Sequence, residues 1–137
     1  MKNSNLTIFA NFFVDTEENF LRLQDSFFSF YKVNPKQWVI GVRGSQKIKV
    51  KNFLSSYLDK EILYIKILSD KSNWIKESRN LFNKVVQENI FIWVEDHICQ
   101  ITETKLSKII REFEEFKIDQ MVYSFWHDNL KRRIDFL

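Results

Sequence analysis

The sequence is poor in residues that interrupt regular structure or cross-link a chain. Its 137 residues include 1 proline, 2 glycines and 1 cysteine, Cys99. A lone cysteine excludes a disulfide-bonded scaffold, and so few glycines and prolines favour long elements joined by short connections. No apolar run approaches the roughly 18 residues of a membrane span, and Met1 to Asn5 lead into no apolar secretory segment. We therefore expect a soluble, cytoplasmic protein without a transmembrane segment.

An excess of charge of one sign is also absent. The 21 Lys and Arg residues against 18 Asp and Glu residues leave a net charge of +3, which falls short of a nucleic-acid-binding domain. A hydrophobic fraction of 45%, with 14 Phe and 4 Trp residues, excludes disorder. A chain of this length buries one core, so we predict one domain over residues 1–137. An apolar face that forms a homo-oligomer or binds a partner subunit is a further expectation.

Two kinds of segment alternate along the chain. Short runs that are apolar on both faces predict buried strands of a parallel sheet at 6–13, 38–42, 62–67, 90–94 and 121–126. Apolar residues at helical spacing predict amphipathic helices around 20–31, 53–58, 74–85 and 106–116. Asp15 and Glu18 predict a capping box at the start of the first helix. This alternation predicts an α/β fold, a three-layer α/β/α sandwich with a mostly parallel sheet.

Ligands of such sheets bind beyond the carboxyl ends of the strands, so residues that directly follow the apolar runs are candidates for a site. Arg43-Gly44-Ser45 follows the second run. Gly44 permits a positive φ and close approach of the backbone to a ligand. The planar guanidinium of Arg43 suits a phosphate or a carboxylate. A tight turn with an exposed arginine is the alternative interpretation.

Glu95-Asp96-His97 follows the fourth run. In extended geometry Glu95 and His97 point the same way and Asp96 points the opposite way. A carboxylate and an imidazole suit Mn²⁺ or Zn²⁺ better than Ca²⁺, and two ligands leave positions open for phosphate oxygens. The alternative is a strand end that simply reaches solvent.

The remaining candidates are weaker. No Walker loop, G-x-G-x-x-G or G-x-S-x-G motif is present, so the usual ATP, dinucleotide and hydrolase motifs are absent. We expect Cys99 to be a small buried residue rather than a nucleophile. His127-Asp128 follows the fifth run, where a catalytic role and a surface role are both open.

Several short motifs occur in an order and spacing that resemble a known family. They are Glu17-Glu18-Asn19-Phe20 and Asp25-Ser26-Phe27 for a first helix, Gly44-Ser45 for the end of D-D-G-S, Arg79-Asn80 for A-R-N, and Glu95-Asp96-His97 in register with D-x-D. Together they resemble the nucleotide-sugar-binding amino-terminal half of GT-A-fold glycosyltransferases with a family-two-like region.

The resemblance implies a Rossmann-like GT-A fold that binds a nucleotide sugar through a metal-bridged diphosphate and transfers the sugar to an unknown acceptor. The nucleotide-sugar-binding residues would be Asn11, Arg43, Gly44, Ser45, Arg79, Asn80, Glu95 and Asp96. Glu95 and His97 would hold the metal, Mn²⁺ or Mg²⁺. The resemblance identifies no catalytic base; Asp128, which follows the fifth run, is a weak candidate for that role.

The sequence also departs from the family pattern. Val42 and Arg43 stand where the family has acidic contacts to the nucleoside, and D-x-D reads Glu95-x-His97. Family members continue past the fifth strand into an acceptor-binding half, which we do not expect here, because the sequence stops soon after Trp126. These departures favour an alternative, a non-catalytic nucleotide- or sugar-binding or interaction module that kept the fold and lost the chemistry.

Overall fold

A computed structural model describes residues 4–119. Its elements are β1 (Ser4–Phe13), α1 (Glu17–Tyr31), β2 (Pro35–Arg43), α2 (Lys47–Tyr57), β3 (Leu63–Ile67), α3 (Trp74–Phe82), β4 (Asn89–Ile92) and α4 (Glu103–Glu115). The α/β alternation is therefore confirmed over this range. The fifth predicted strand, 121–126, and the His127-Asp128 pair lie outside it.

The chain divides into two compact units, Met1–Ser107 and Lys108–Leu137, so the single domain over 1–137 stays a prediction. The first unit contains the sheet and the first three helices. The described part of the second unit carries most of α4, in which Lys108 and Glu112 form an ion pair at 3.8 Å. No helix within residues 4–119 is long and apolar enough to cross a membrane.

The four described strands form one all-parallel sheet in the order β3-β2-β1-β4. The chain moves from β1 to β2 to β3 in one direction, and α3 then carries it back to the other side of β1. The strand order therefore reverses at β1, which is compatible with a Rossmann-like fold. In open α/β sheets the ligand crevice lies at this reversal, beyond the carboxyl ends of the strands.

Aromatic side chains form the core between the sheet and helices α1 and α2. Phe27 of α1 lies 5.6 Å from Trp38 of β2 and 5.3 Å from Phe53 of α2, measured between ring centroids. Trp93, directly after β4, packs edge-on against Phe12 of β1 at 4.7 Å. Burial of such rings is the main term that holds helices on a sheet face.

Helix α3 packs on the strand residues that point to the other face of the sheet, since successive residues of a strand point to opposite faces. Leu81 of α3 forms a buried cluster with Val39 of β2 and with Leu68. Gly41 makes room for this helix, because a Cβ at Gly41 would lie 2.5 Å from Leu81 Cδ1. This close approach brings Ser78 of α3 within hydrogen-bonding distance of β1.

The first helix is capped differently from the prediction. Thr16 is the N-cap of α1, and its side-chain oxygen accepts a hydrogen bond from the Asn19 backbone N–H at 3.1 Å. The predicted capping box of Asp15 and Glu18 is therefore wrong. Asp15 instead binds the loop that follows β2, which a local pattern does not reveal.

Candidate functional site

The β2–α2 loop is held against the β1–α1 loop by backbone contacts. Gly44 has a φ of +96°, and a Cβ there would lie 2.3 Å from the carbonyl oxygen of Val14. The Gln46 N–H donates to the same oxygen at 3.0 Å. Gly44 therefore uses the positive φ that glycine permits, and its close approach is to the protein's own backbone.

Two aspartates complete this loop packing, and the sequence motifs missed both. The Ser45 N–H donates to Asp15 Oδ1 at 3.1 Å, and the Ser45 hydroxyl donates to the Asp15 carbonyl. The Gly44 N–H donates to Asp70 Oδ1 at 2.8 Å, and Lys47 Nζ lies 3.3 Å from the same oxygen. Both aspartates follow strands closely, β1 and β3, which is the signal that could have singled them out.

The pKa of Asp70 reflects this position. The hydrogen bond from the Gly44 N–H is the largest cause that lowers it, followed by Lys47 and then by the charge of Arg43. The carboxylate therefore stays ionised in the folded protein at neutral pH.

Arg43 is the last residue of β2 and is only 6% exposed. The exposed arginine of a tight turn is thus excluded. Its Nη2 donates a long hydrogen bond, 3.4 Å, to Asn11 Oδ1, whereas its Nε is buried without a hydrogen-bond partner among residues 4–119. A buried donor without a partner costs free energy, so this nitrogen needs an explanation.

Asn11 links the end of β2 to α3. Its Oδ1 accepts from Arg43, and its Nδ2 donates to Ser78 Oγ at 2.7 Å. Arg79 and Asn80, the A-R-N-like pair, are exposed on the surface of α3. They line an open depression of about 410 Å³ together with Asn73, Ile75 and Lys76. The residue just before the motif therefore contacts Asn11, while the motif itself faces solvent.

The segment after β4 is a turn and does not continue the strand. β4 ends at Ile92, and the His97 N–H donates to the Val94 carbonyl at 3.0 Å. The extended geometry predicted for residues 95–97 is therefore wrong. His97 Nδ1 lies 2.8 Å from Asp96 Oδ1, with both side chains exposed, and Glu95 is half-buried.

Hydrogen bonds to α1 hold this turn in place. The buried indole of Trp93 donates to Ser26 Oγ at 2.7 Å, and that hydroxyl donates in turn to the His97 carbonyl. The Cys99 N–H donates to Ser29 Oγ at 2.7 Å. Ser26 therefore positions the turn, a role that its place in the first-helix motif did not indicate.

The predicted metal ligands do not form a complete site by themselves. Residues 4–119 contain no group of three His, Cys, Asp or Glu side chains that could hold a metal ion. The imidazole of His97 pairs with Asp96, whereas Glu95 was the predicted second ligand. Mn²⁺ or Mg²⁺ at Glu95 and His97 stays a prediction, and no chemical step below uses a metal.

Cys99 is 5% exposed, and burial raises the pKa of its thiol. The expectation of a small buried residue is therefore confirmed.

We expect the native protein to react with a thiol-specific disulfide reagent at least about tenfold more slowly than the same chain in denaturant, because only the exposed thiolate reacts. The chain has 1 cysteine, so the absorbance change reports this thiol alone. Equal rates in the two conditions would contradict the burial.

Comparisons of the chain with protein-family models, curated proteins and solved structures found no match. The function proposed below is therefore inferred from the sequence motifs and from the residues at the carboxyl ends of the strands.

Proposed function

We propose that the protein binds a nucleotide-sugar donor at the carboxyl edge of its sheet, as the donor-binding part of a glycosyltransferase with a three-layer, GT-A-like fold. The observation that carries this proposal is Arg43 at the end of β2, a buried cation whose Nε has no hydrogen-bond partner within residues 4–119. β2 is the neighbour of β1, where the strand order reverses. Nε is enclosed in the free protein, so a diphosphate oxygen would supply the partner that Nε lacks once the loop around Arg43 rearranges; a guanidinium binds phosphate through parallel N–H donors.

The start of α2 adds positive potential beside Arg43. Its N-cap, Gln46, makes no side-chain capping bond, and its first turn carries no acidic residue. Lys47 lies in that turn. The N-terminus of a helix carries a partial positive charge, so an anion is favoured here.

In a transfer reaction these groups would act on the leaving diphosphate. As the bond between the anomeric carbon and the diphosphate breaks and an acceptor hydroxyl attacks that carbon, negative charge grows on the diphosphate oxygens. Arg43 and Lys47 would stabilise that charge once the diphosphate is bound beside them. The proton of the acceptor hydroxyl would pass to a general base; the candidate for it, Asp128, lies outside the described residues.

One observation favours a second candidate, a nucleotide- or sugar-binding module without transfer activity. Three of the acidic side chains that follow β1, β3 and β4 are bound within the protein: Asp15 to Ser45, Asp70 to Gly44 and Asp96 to His97. A carboxylate that is held by groups of its own protein is less free to turn to an acceptor hydroxyl, which a general base must reach within hydrogen-bonding distance.

Titration with UDP, GDP and CDP at millimolar concentrations tests both candidates through the thermal midpoint of unfolding. We expect at least one nucleoside diphosphate to raise it, since a ligand at 100 times its Kd stabilises by about 2.7 kcal/mol. The matching nucleosides are the control and should give no shift. No stabilisation by any diphosphate would contradict both candidates.

Two further arms separate the details. Release of a nucleoside diphosphate from a nucleotide sugar in the presence of acceptors would support transfer over simple binding. If Mn²⁺ strengthens binding, Glu95→Ala and His97→Ala should each remove that effect. Persistence of the Mn²⁺ effect in both variants would contradict those two ligands.

A further inference from the structure

The carboxylate of Asp70 makes the contacts that a bound phosphate would make. One of its oxygens accepts a hydrogen bond from the backbone N–H of Gly44 at 2.8 Å and lies 3.3 Å from Lys47 Nζ. A backbone N–H in the loop before a helix and a lysine in the first turn of that helix are a common pair of donors to phosphate oxygens. The charge of Arg43 acts on the same carboxylate.

Asp70 nevertheless does not supply the hydrogen-bond partner that Arg43 lacks. The Arg43 Nε has no partner within the described part of the chain, although its charge is felt at Asp70. The carboxylate therefore satisfies Gly44 and Lys47 but not the most buried cation of the cluster. A diphosphate carries more charge and more oxygens than a carboxylate, so it could bind Gly44 and Lys47 and also be attracted by the charge of Arg43.

Asp70 can also leave at small cost. Its side chain is 51% exposed, and it lies in a turn that is held together by its own bonds. The Ser72 N–H donates to the Ser69 carbonyl at 3.0 Å, and the Lys71 N–H donates to Ser69 Oγ at 3.3 Å. Rotation of the Asp70 side chain would break only its bonds to Gly44 and Lys47, not those of the turn.

We propose that Asp70 is an internal competitor for the diphosphate and thereby sets the affinity of the site, an inference that rests on the proposed function. On binding, phosphate oxygens displace the carboxylate and take its place at the Gly44 N–H and Lys47 Nζ. Only molecules in which Asp70 has left can bind the ligand. The measured Kd is then the intrinsic Kd divided by the fraction of such molecules.

The test compares wild type with Asp70→Asn, using inorganic pyrophosphate and UDP as probes and isothermal titration calorimetry on the whole chain. The asparagine keeps an oxygen for the Gly44 N–H but has no charge, so a phosphate displaces it more easily. We expect binding about three- to tenfold tighter in the variant. Asp70→Ser is a second uncharged variant in case the first is poorly folded.

Asp59→Asn is the matched control. Asp59 lies between α2 and β3, at the opposite end of the strands, and its exposed side chain carries the same charge. Its replacement should leave both affinities unchanged. Circular dichroism of each variant checks that the fold is retained.

Three outcomes overturn the inference, and they separate it from the proposed function. If wild type binds the probes and the folded Asp70 variants bind them no more tightly, Asp70 is not a competitor. The proposed function would then still stand. Equal strengthening by Asp59→Asn would show a general effect of charge. If neither wild type nor any variant binds either probe, the proposed function is overturned as well.

Discussion

Replacement of Gly44 by alanine is expected to lower the free energy of unfolding by about 2 to 6 kcal/mol, the combined size of backbone strain and overpacking. Gly44 has a φ of +96°, a region that residues with a Cβ rarely adopt. The new Cβ would meet the Val14 carbonyl at 2.3 Å. Backbone atoms of two packed loops cannot move apart without breaking the Gln46-to-Val14 hydrogen bond.

Urea denaturation measures this loss, and Gly41→Ala is the matched control. The Cβ at residue 41 would meet Leu81 Cδ1 at 2.5 Å, but that atom is the end of a side chain that can change its rotamer. We therefore expect Gly41→Ala to cost less than Gly44→Ala. The reverse order would contradict the strained loop.

Replacement of Arg43 by methionine is expected to weaken UDP binding by about 10- to 100-fold, the size of one or two charge-assisted hydrogen bonds. The thermal midpoint of the free protein should stay the same or rise. A buried cation with an unpaired nitrogen destabilises the folded state, and an apolar side chain of similar length removes that cost. Loss of binding without loss of stability separates a ligand-binding residue from a structural one.

Calorimetric titration and thermal unfolding of the same samples provide both readings. Arg22→Met is the control, because Arg22 is exposed on α1 and, in the part of the chain that the structure describes, forms an ion pair with Glu18 one turn away. It should change neither the affinity for UDP nor the thermal midpoint by a large amount. A strongly destabilised Arg43→Met that still binds UDP normally would show that Arg43 has a structural role only.

Periodicity along the chain predicted the first four strands and the four helices, because the spacing of apolar residues is a local property. It placed the end of β4 wrongly. Residues 90–94 are all apolar, so no pattern marks where the strand stops. The end is decided by Trp93, which turns into the aromatic core and bonds to Ser26 on α1.

The candidate site divides in the same way. Position after a strand was enough to single out Arg43, Gly44 and Ser45. It could not show that Arg43 is buried, since that depends on its packing within the folded sheet. Nor could it pair Gly44 with Asp70, 26 residues later, or Ser45 with Asp15, 30 residues earlier.

The scarcity of glycine and proline and the regular alternation of apolar runs predicted, without any structure, that this chain is an α/β protein. Only the tertiary structure decided the strand order β3-β2-β1-β4 and the reversal at β1. It also decided which charges meet at the carboxyl edge. The physical reason is range: backbone preference and periodicity act over a few neighbouring residues, whereas strand order and the pairing of Asp70 with Gly44 and Lys47 depend on contacts between distant segments.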